Sequence, residues 1–206
     1  MATGRLHGKR VAILATDGVE QIELTEPRKA LDEAGARTTL ISPKTGTIKA
    51  WQHDQWGDEL RVDLPLEQAI VDNFDALLLP GGVMNPDRLR VNRKAVEFVQ
   101  RFVNSGKPVA AICHALSLLI EANAVRGRTL TSWPSLQTDL RNAGADWVDR
   151  DVVTDEGIVT SRKPDDIPSF NKKMIEEFAE GVHGRVRTRS LGESPRLGES
   201  VSPVRR

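Results

Sequence analysis

The stretch KPVAAICHALSLLIEA, residues 107–122, holds the only cysteine of a 206-residue chain and sets a histidine directly after it. Its first half, PVAAIC, has the length and continuous apolar character of a strand buried on both faces. Its second half, HALSLLIEA, carries apolar residues at helical spacing. Nothing separates the two, so Cys113 falls where a strand turns straight into a helix, with Ala111 two residues before it and Ala115 two after. Small neighbours let backbone approach backbone at so sharp a turn, and the N-terminus of the following helix favours a negative charge on the sulfur.

The same strand-then-helix alternation runs through the chain. KRVAILAT (9–16) is a buried strand ending in Asp17-Gly18. The helix after it is expected to take Pro27 in its first turn, to show an Ala30, Leu31, Ala34 stripe and to stop at Gly35. RTTLIS (37–42) is the second strand, FDALLLPGG (74–82) another, and Ala95, Val96, Val99, Phe102 and Val103 mark a helix closed by Gly106. Between them, residues 46–69 mix Gly, Trp and charge and read as a β-excursion with loops, followed by a short helix near residues 66–71. Further on, RTLTSW (128–133) predicts a strand, residues 134–147 a helix and loop, and DVVTDEGIVTSR (151–162) two strands turning at residues 155–157. Asp165 or Asp166 is expected to cap a last helix through residues 167–182. Such regular alternation predicts an α/β fold, doubly wound, with a mostly parallel sheet and helices on both faces.

Length suits one domain, placed at residues 1–183, followed by an Arg/Ser/Gly-rich tail at 184–206 in which LGES occurs twice. With little to bury, that tail is expected to be disordered. The 29 basic and 29 acidic residues balance, but six arginines of the tail leave the body mildly acidic, which argues against a nucleic-acid-binding face. No apolar run reaches the roughly 20 residues needed to span a bilayer, and a lone cysteine forms no internal disulfide. No secretory signal is read at the N-terminus, so a cytoplasmic location and no membrane partner are expected.

Ligand crevices of open parallel sheets lie beyond the carboxyl ends of the strands, which singles out the loops at residues 17–20, 81–87 and 113–114. A free cysteine is often an inert buried thiol, but His114 and the small flanking residues favour a reactive one. Gly81 and Gly82 form either a tight turn or, with the N–H of His114, a backbone site for a developing negative charge. Glu20 is either a solvated loop acid or a protonated carboxyl that donates to the thiolate. His7, His53, His114 and His183 show no metal-ligand spacing, and no phosphate-binding glycine pattern follows the first strand. Neither metal nor cofactor is therefore expected, and His53, in WQHDQWG, reads as a surface or pocket-rim residue.

Taken together, ATDGVEQIEL, ALLLPGGVMNPDRLR and residues 107–149 resemble the ThiJ/PfpI superfamily, close to its PfpI-like intracellular protease, general-stress and protein deglycase subgroup. The resemblance spans about residues 9–182 and implies a flavodoxin-like three-layer sandwich of the class I glutamine amidotransferase type. It also implies that Cys113 is the nucleophile, that Glu20 is hydrogen-bonded to it, and that His114 is its partner. A third acid supplied by a neighbouring subunit corresponds to Asp87, one methylene shorter than the glutamate expected there. The site would then be shared across a homodimer or higher oligomer. Trp133 falls where the superfamily often has an aromatic pocket wall, although core packing accounts for it equally well. The implied activity is that of a cysteine-dependent hydrolase acting on methylglyoxal or glyoxal adducts of protein side chains, or on free dicarbonyls. Alternatives are an intracellular cysteine peptidase and an oxidative-stress sensor working through Cys113 oxidation.

Overall fold

A computed structural model describes residues 4–182. In chain order, β1 (Arg10–Leu14) leads into α1 (Gln21–Glu33) and β2 (Arg37–Ser42), followed by the hairpin β3 (Thr47–Gln52) and β4 (Gln55–Arg61) and the short β5 (Leu64–Pro65). Next come β6 (Ala76–Leu79), α2 (Met84–Arg90), α3 (Arg93–Asn104), β7 (Val109–Ile112) and α4 (Leu116–Glu121). The chain continues through β8 (Thr129–Leu130), α5 (Gln137–Asn142), β9 (Asp146–Trp147), β10 (Val152–Asp155), β11 (Ile158–Ser161) and α6 (Ile167–Glu180). Seven strands form one sheet in the order β10-β11-β7-β6-β1-β2-β5, in which only the β10–β11 pair is antiparallel. This is the flavodoxin-like sandwich expected.

The continuous apolar runs of the central strands follow from burial on both sides. Ala12, Leu14, Leu77, Leu79, Val109 and Ala111 face a layer that includes Leu89 of α2, Phe98 and Phe102 of α3, Leu119 of α4 and Leu140 of α5. Their alternates Val11, Ile13, Ala76, Leu78, Ala110 and Ile112 face Leu24 and Leu31 of α1, Phe170, Met174 and Phe178 of α6, and Ile48 of β3. The period-two alternation of side chains thus feeds two cores from one sheet.

Three local expectations differ from what is observed. Helix α1 starts at Gln21, so Pro27 lies inside it and removes the hydrogen bond that residue 27 would give to the Glu23 carbonyl. Burial of Leu24, Pro27 and Leu31 on one stripe carries the helix through that loss. Residues 66–71 form no α-helix: the segment makes two 3-10 turns, Leu66–Gln68 and Val71–Asn73, whose Leu66 and Val71 are buried. Asp166 does stand at the head of α6, but its carboxyl takes Nε and Nη2 of Arg162 at 2.8 and 3.0 Å and makes no capping bond to the helix. The predicted tail and His183 lie outside the described residues. Among the described residues no helix is long and apolar enough to cross a membrane.

Candidate active site

Cys113 follows the last residue of β7 and opens a 3-10 turn that runs into α4. Its φ is +64°, a left-handed conformation that costs a residue with a Cβ about 1–2 kcal/mol. The packed strand before it and the packed helix after it hold it there, and Ala111 and Ala115 are both buried. The turn swings the side chain out of the strand direction toward the crevice beyond β1, β6 and β7, where it lies 7% exposed.

The carboxyl that meets this thiol belongs to Glu23, and the expected pairing with Glu20 is thereby corrected. Because α1 starts at Gln21, Glu20 stands just ahead of it without a capping bond from its side chain, and Glu23 lies a turn further on, wholly buried. The Glu23 carboxyl faces Cys113, and its Oε2 accepts from the Gly81 N–H at 3.1 Å. Its Oε1 is sealed from solvent with no nitrogen or oxygen partner. Burial pushes Glu23 up to about 8, so the carboxyl is protonated at neutral pH and can donate to sulfur. Burial likewise pushes the Cys113 thiol up, and a nearby anionic Glu23 would push it further. The pair therefore carries at most one negative charge at neutral pH. Glu20 remains at the site, but at its rim: burial raises its carboxyl, and the His53 N–H donates to it.

Both glycines serve the Glu23–Cys113 pair. Gly81 gives its N–H to Glu23, and the backbone N–H of Gly82 favours negative charge on both the Glu23 carboxyl and the Cys113 sulfur, as that of His114 does on the sulfur. Both glycines are packed too closely for a side chain: a Cβ on Gly81 would lie 2.7 Å from that of Cys113, and one on Gly82 would lie 2.6 Å from the Gly18 carbonyl oxygen. Asn85, fully buried in the first turn of α2, locks this loop to the one after β1. Its Nδ2 donates to the carbonyls of Pro80 and Gly81 at 2.9 and 3.1 Å, and its Oδ1 accepts from the Thr16 N–H at 2.7 Å.

His114 bends back toward its neighbour, with Nδ1 3.2 Å from the Cys113 sulfur. Nε2 lies 3.2 Å from Ser135 Oγ, and the ring stacks on Trp133 with centroids 5.9 Å apart. Burial lowers the imidazole, keeping it neutral at pH 7. Asp87, the acid expected to serve His114 from a second subunit, stands exposed on α2 and is not among the residues lining the cavity of its own chain.

Glu23, Gly82, Cys113 and His114 line a cavity of about 520 Å³ whose walls also include Glu20, Trp51, His53, Met84 and Trp133. The β3–β4 hairpin reaches it because the Trp51 N–H donates to the Val19 carbonyl at 2.7 Å and the Gly18 N–H to that of Lys49 at 2.8 Å. Glu23, Asn85, Trp51 and Ser135 were not singled out from sequence. Only Glu23 left a signal, since it adjoins Leu24 on the buried stripe that continues through Pro27 and Leu31. Among the described residues, no group of three or more His, Cys, Asp or Glu side chains could hold a metal ion.

A cysteine on a left-handed elbow facing a buried carboxyl, at the carboxyl end of a parallel sheet, can be compared with known proteins. General stress protein 18 of Bacillus subtilis is 44% identical over 170 residues, spanning 82% of this chain and 96% of that protein. Protein/nucleic acid deglycase 2 of Escherichia coli is 42% identical over 169 residues, spanning 81% and 96% respectively. The crystal structure of Drosophila melanogaster DJ-1beta superposes with a TM-score of 0.76 at 28% identity, covering 83% of this chain and 90% of that one. The model of the DJ-1/PfpI family matches residues 9–177, which takes in the elbow, the buried acid and the glycine loop alike, and the chain belongs to that family.

Proposed function

We propose that this chain is a stress-response hydrolase that uses Cys113 as nucleophile against methylglyoxal or glyoxal adducts of amino-acid side chains, or against the free dicarbonyls. The observation that carries the reading is the Cys113 sulfur between a protonated buried carboxyl and the Nδ1 of a neutral imidazole 3.2 Å away, at the base of a small-molecule-sized cavity. The names of its relatives, a general stress protein and a deglycase, support it.

In this reading His114 takes the thiol proton as sulfur adds to the aldehyde carbon of a free dicarbonyl and returns it to the carbonyl oxygen, or, on an adduct, passes it to the amine or thiol that sulfur displaces from that carbon. The N–H groups of Gly82 and His114 and the Glu23 carboxyl steady the negative charge that develops on sulfur as its proton leaves. A proton then moves from C1 to C2 through an enediol, which turns the hemithioacetal into a thioester without any outside oxidant. Water cleaves the thioester and frees Cys113. For methylglyoxal the sum is one dicarbonyl plus one water giving one lactic acid, and the atoms and electrons balance. A peptidase reading uses the same nucleophile, but the cavity is walled by Trp51, Trp133 and the hairpin, which suits a small group better than an extended peptide. The assembly proposed with this activity is a homodimer or larger.

Lactate release from methylglyoxal adducts of N-acetylcysteine and N-acetylarginine tests the reading, with free methylglyoxal followed in parallel. Lactate that depends on Cys113 and is lost in Cys113→Ser is expected. No lactate from either protein would overturn the reading and leave peptidase and peroxide-oxidation assays as the next discriminators.

A further inference from the structure

We propose that Ser135 is the positioning residue for His114, supplying from the same chain the contact that an acid of a second subunit was expected to make. The inference rests on Cys113 and His114 being the reacting pair. The imidazole is held at both ends, with Nδ1 3.2 Å from Cys113 Sγ and Nε2 3.2 Å from Ser135 Oγ. Trp133 covers its face at an interplanar angle of 25°. The Trp133 N–H donates to the Cys113 carbonyl at 3.2 Å, so the segment bearing the serine is tied to the turn bearing the thiol. Hydroxyl and sulfur are thereby fixed to one frame, with the ring between them.

A hydroxyl and a carboxylate are not equivalent here. A carboxylate only accepts, so it would fix the proton on Nε2 and draw the ring toward its charged form. A serine hydroxyl accepts from Nε2–H when Nδ1 is the free base, and donates to Nε2 when Nδ1 carries the proton. The neutral ring thus keeps a partner in either tautomer. On reaction the S–H bond breaks and its proton passes to Nδ1. The resulting imidazolium leaves its Nε2–H on Ser135 Oγ until the Nδ1 proton is handed to the substrate oxygen.

The other titratable groups lining the cavity are Glu20, Glu23, His53 and Cys113 itself. Of these, Glu23 stands against the Cys113 sulfur and Glu20 against the His53 backbone, and burial alone accounts for the lowered imidazole. At rest Ser135 therefore acts on ring orientation and tautomer, and it acts on charge only once the imidazolium forms.

The test reads the ring directly. In the full-length protein labelled with 15N-histidine, His114 should be neutral at pH 7 with a defined preference between its two nitrogens, assigned by comparison with His114→Gln. Ser135→Ala should change that preference, slow iodoacetamide alkylation of Cys113 at pH 7 about 10-fold and move the alkylation profile to higher pH. Ser135→Thr, which keeps the hydroxyl, should restore both. Ser135 is exposed, so equal unfolding midpoints are expected for all three chains and exclude a folding defect. A wild-type tautomer and profile in Ser135→Ala overturns the proposal, as does a Ser135→Thr chain that behaves like Ser135→Ala. Absence of lactate release with these shifts intact would sink the proposed activity and leave the role of Ser135 standing.

Discussion

Glu23 and Cys113 face each other at the end of the sheet, with Glu23 Oε2 pinned by the Gly81 N–H at 3.1 Å. The folded chain keeps the Glu23 proton up to about pH 8, whereas an unfolded glutamate loses it near 4.5. Across that window the folded state holds a proton that the unfolded state has released, so this carboxyl's contribution is fully present below the window and declines as pH rises. The slope is at most about 1.4 kcal/mol per pH unit. Glu23→Gln has nothing to titrate and should flatten that decline. Urea unfolding at pH 5, 6, 7 and 8 measures the difference, and identical slopes in the two proteins would show that the carboxyl is not held neutral.

Removing the thiol should not cost the same for every replacement. Cys113 adopts φ +64°, so Cys113→Ala keeps the left-handed penalty while Cys113→Gly relieves it. Glycine also loosens the unfolded chain, which offsets part of the gain. Cys113→Gly should therefore exceed Cys113→Ala in stability by roughly 0.5–1 kcal/mol, although neither can react. Denaturant midpoints of the two variants at one pH decide it, and a less stable glycine variant would count against strain at the elbow.

The fold was legible because its central strands are buried on both faces, and unbroken apolar runs such as ALLLP and PVAAI have few other uses. The elbow was legible for a local reason, since strand, thiol and helix are contiguous. What lay hidden was the phase of α1. Pro27 marks a helix start when sequence is read locally, yet tertiary burial of Leu24 and Leu31 carries the helix back to Gln21 and turns Glu23, not Glu20, toward Cys113. Ser135, Trp51 and Asn85 reach the site through contacts made at sequence separations of 21, 32 and 69 residues, to His114, Val19 and Thr16. No local pattern announces such contacts.

Asn85 makes a prediction of its own. Asn85→Ala strands the Pro80 carbonyl and the Thr16 N–H inside the protein and leaves the Gly81 carbonyl only the Glu20 N–H at 3.4 Å, so it should cost about 3 kcal/mol, given about 1–3 kcal/mol for each buried group left unpaired and partial relaxation of the loops. Asn85→Asp keeps the acceptor for the Thr16 N–H but sets a carboxyl against the carbonyls of Pro80 and Gly81, so it should be destabilised as well, and more at high pH. Chemical denaturation at pH 6 and 8 tests both. A loss under 1 kcal/mol in Asn85→Ala would mean that the two loops hold together without the amide.

Gly82 separates the cost of backbone conformation from the cost of crowding. Its φ is +79°, and an added Cβ would lie 2.6 Å from the Gly18 carbonyl oxygen and 2.7 Å from the Glu20 nitrogen, both main-chain atoms. Gly127 has a similar φ of +75° with nothing within 4 Å of such an atom. Gly127→Ala should therefore lose only the left-handed penalty, about 1 kcal/mol, and leave Cys113 as reactive as before. Gly82→Ala carries the same penalty and must also push back the loop that begins α1, which moves Glu23 off the sulfur and turns the Gly82 N–H away from it. It should lose at least about 1 kcal/mol more than Gly127→Ala and slow Cys113 alkylation about 10-fold or more. Paired unfolding curves and alkylation rates for the two alanine variants measure this, and equal losses with equal rates would show that the loop yields to a methyl group without disturbing the thiol.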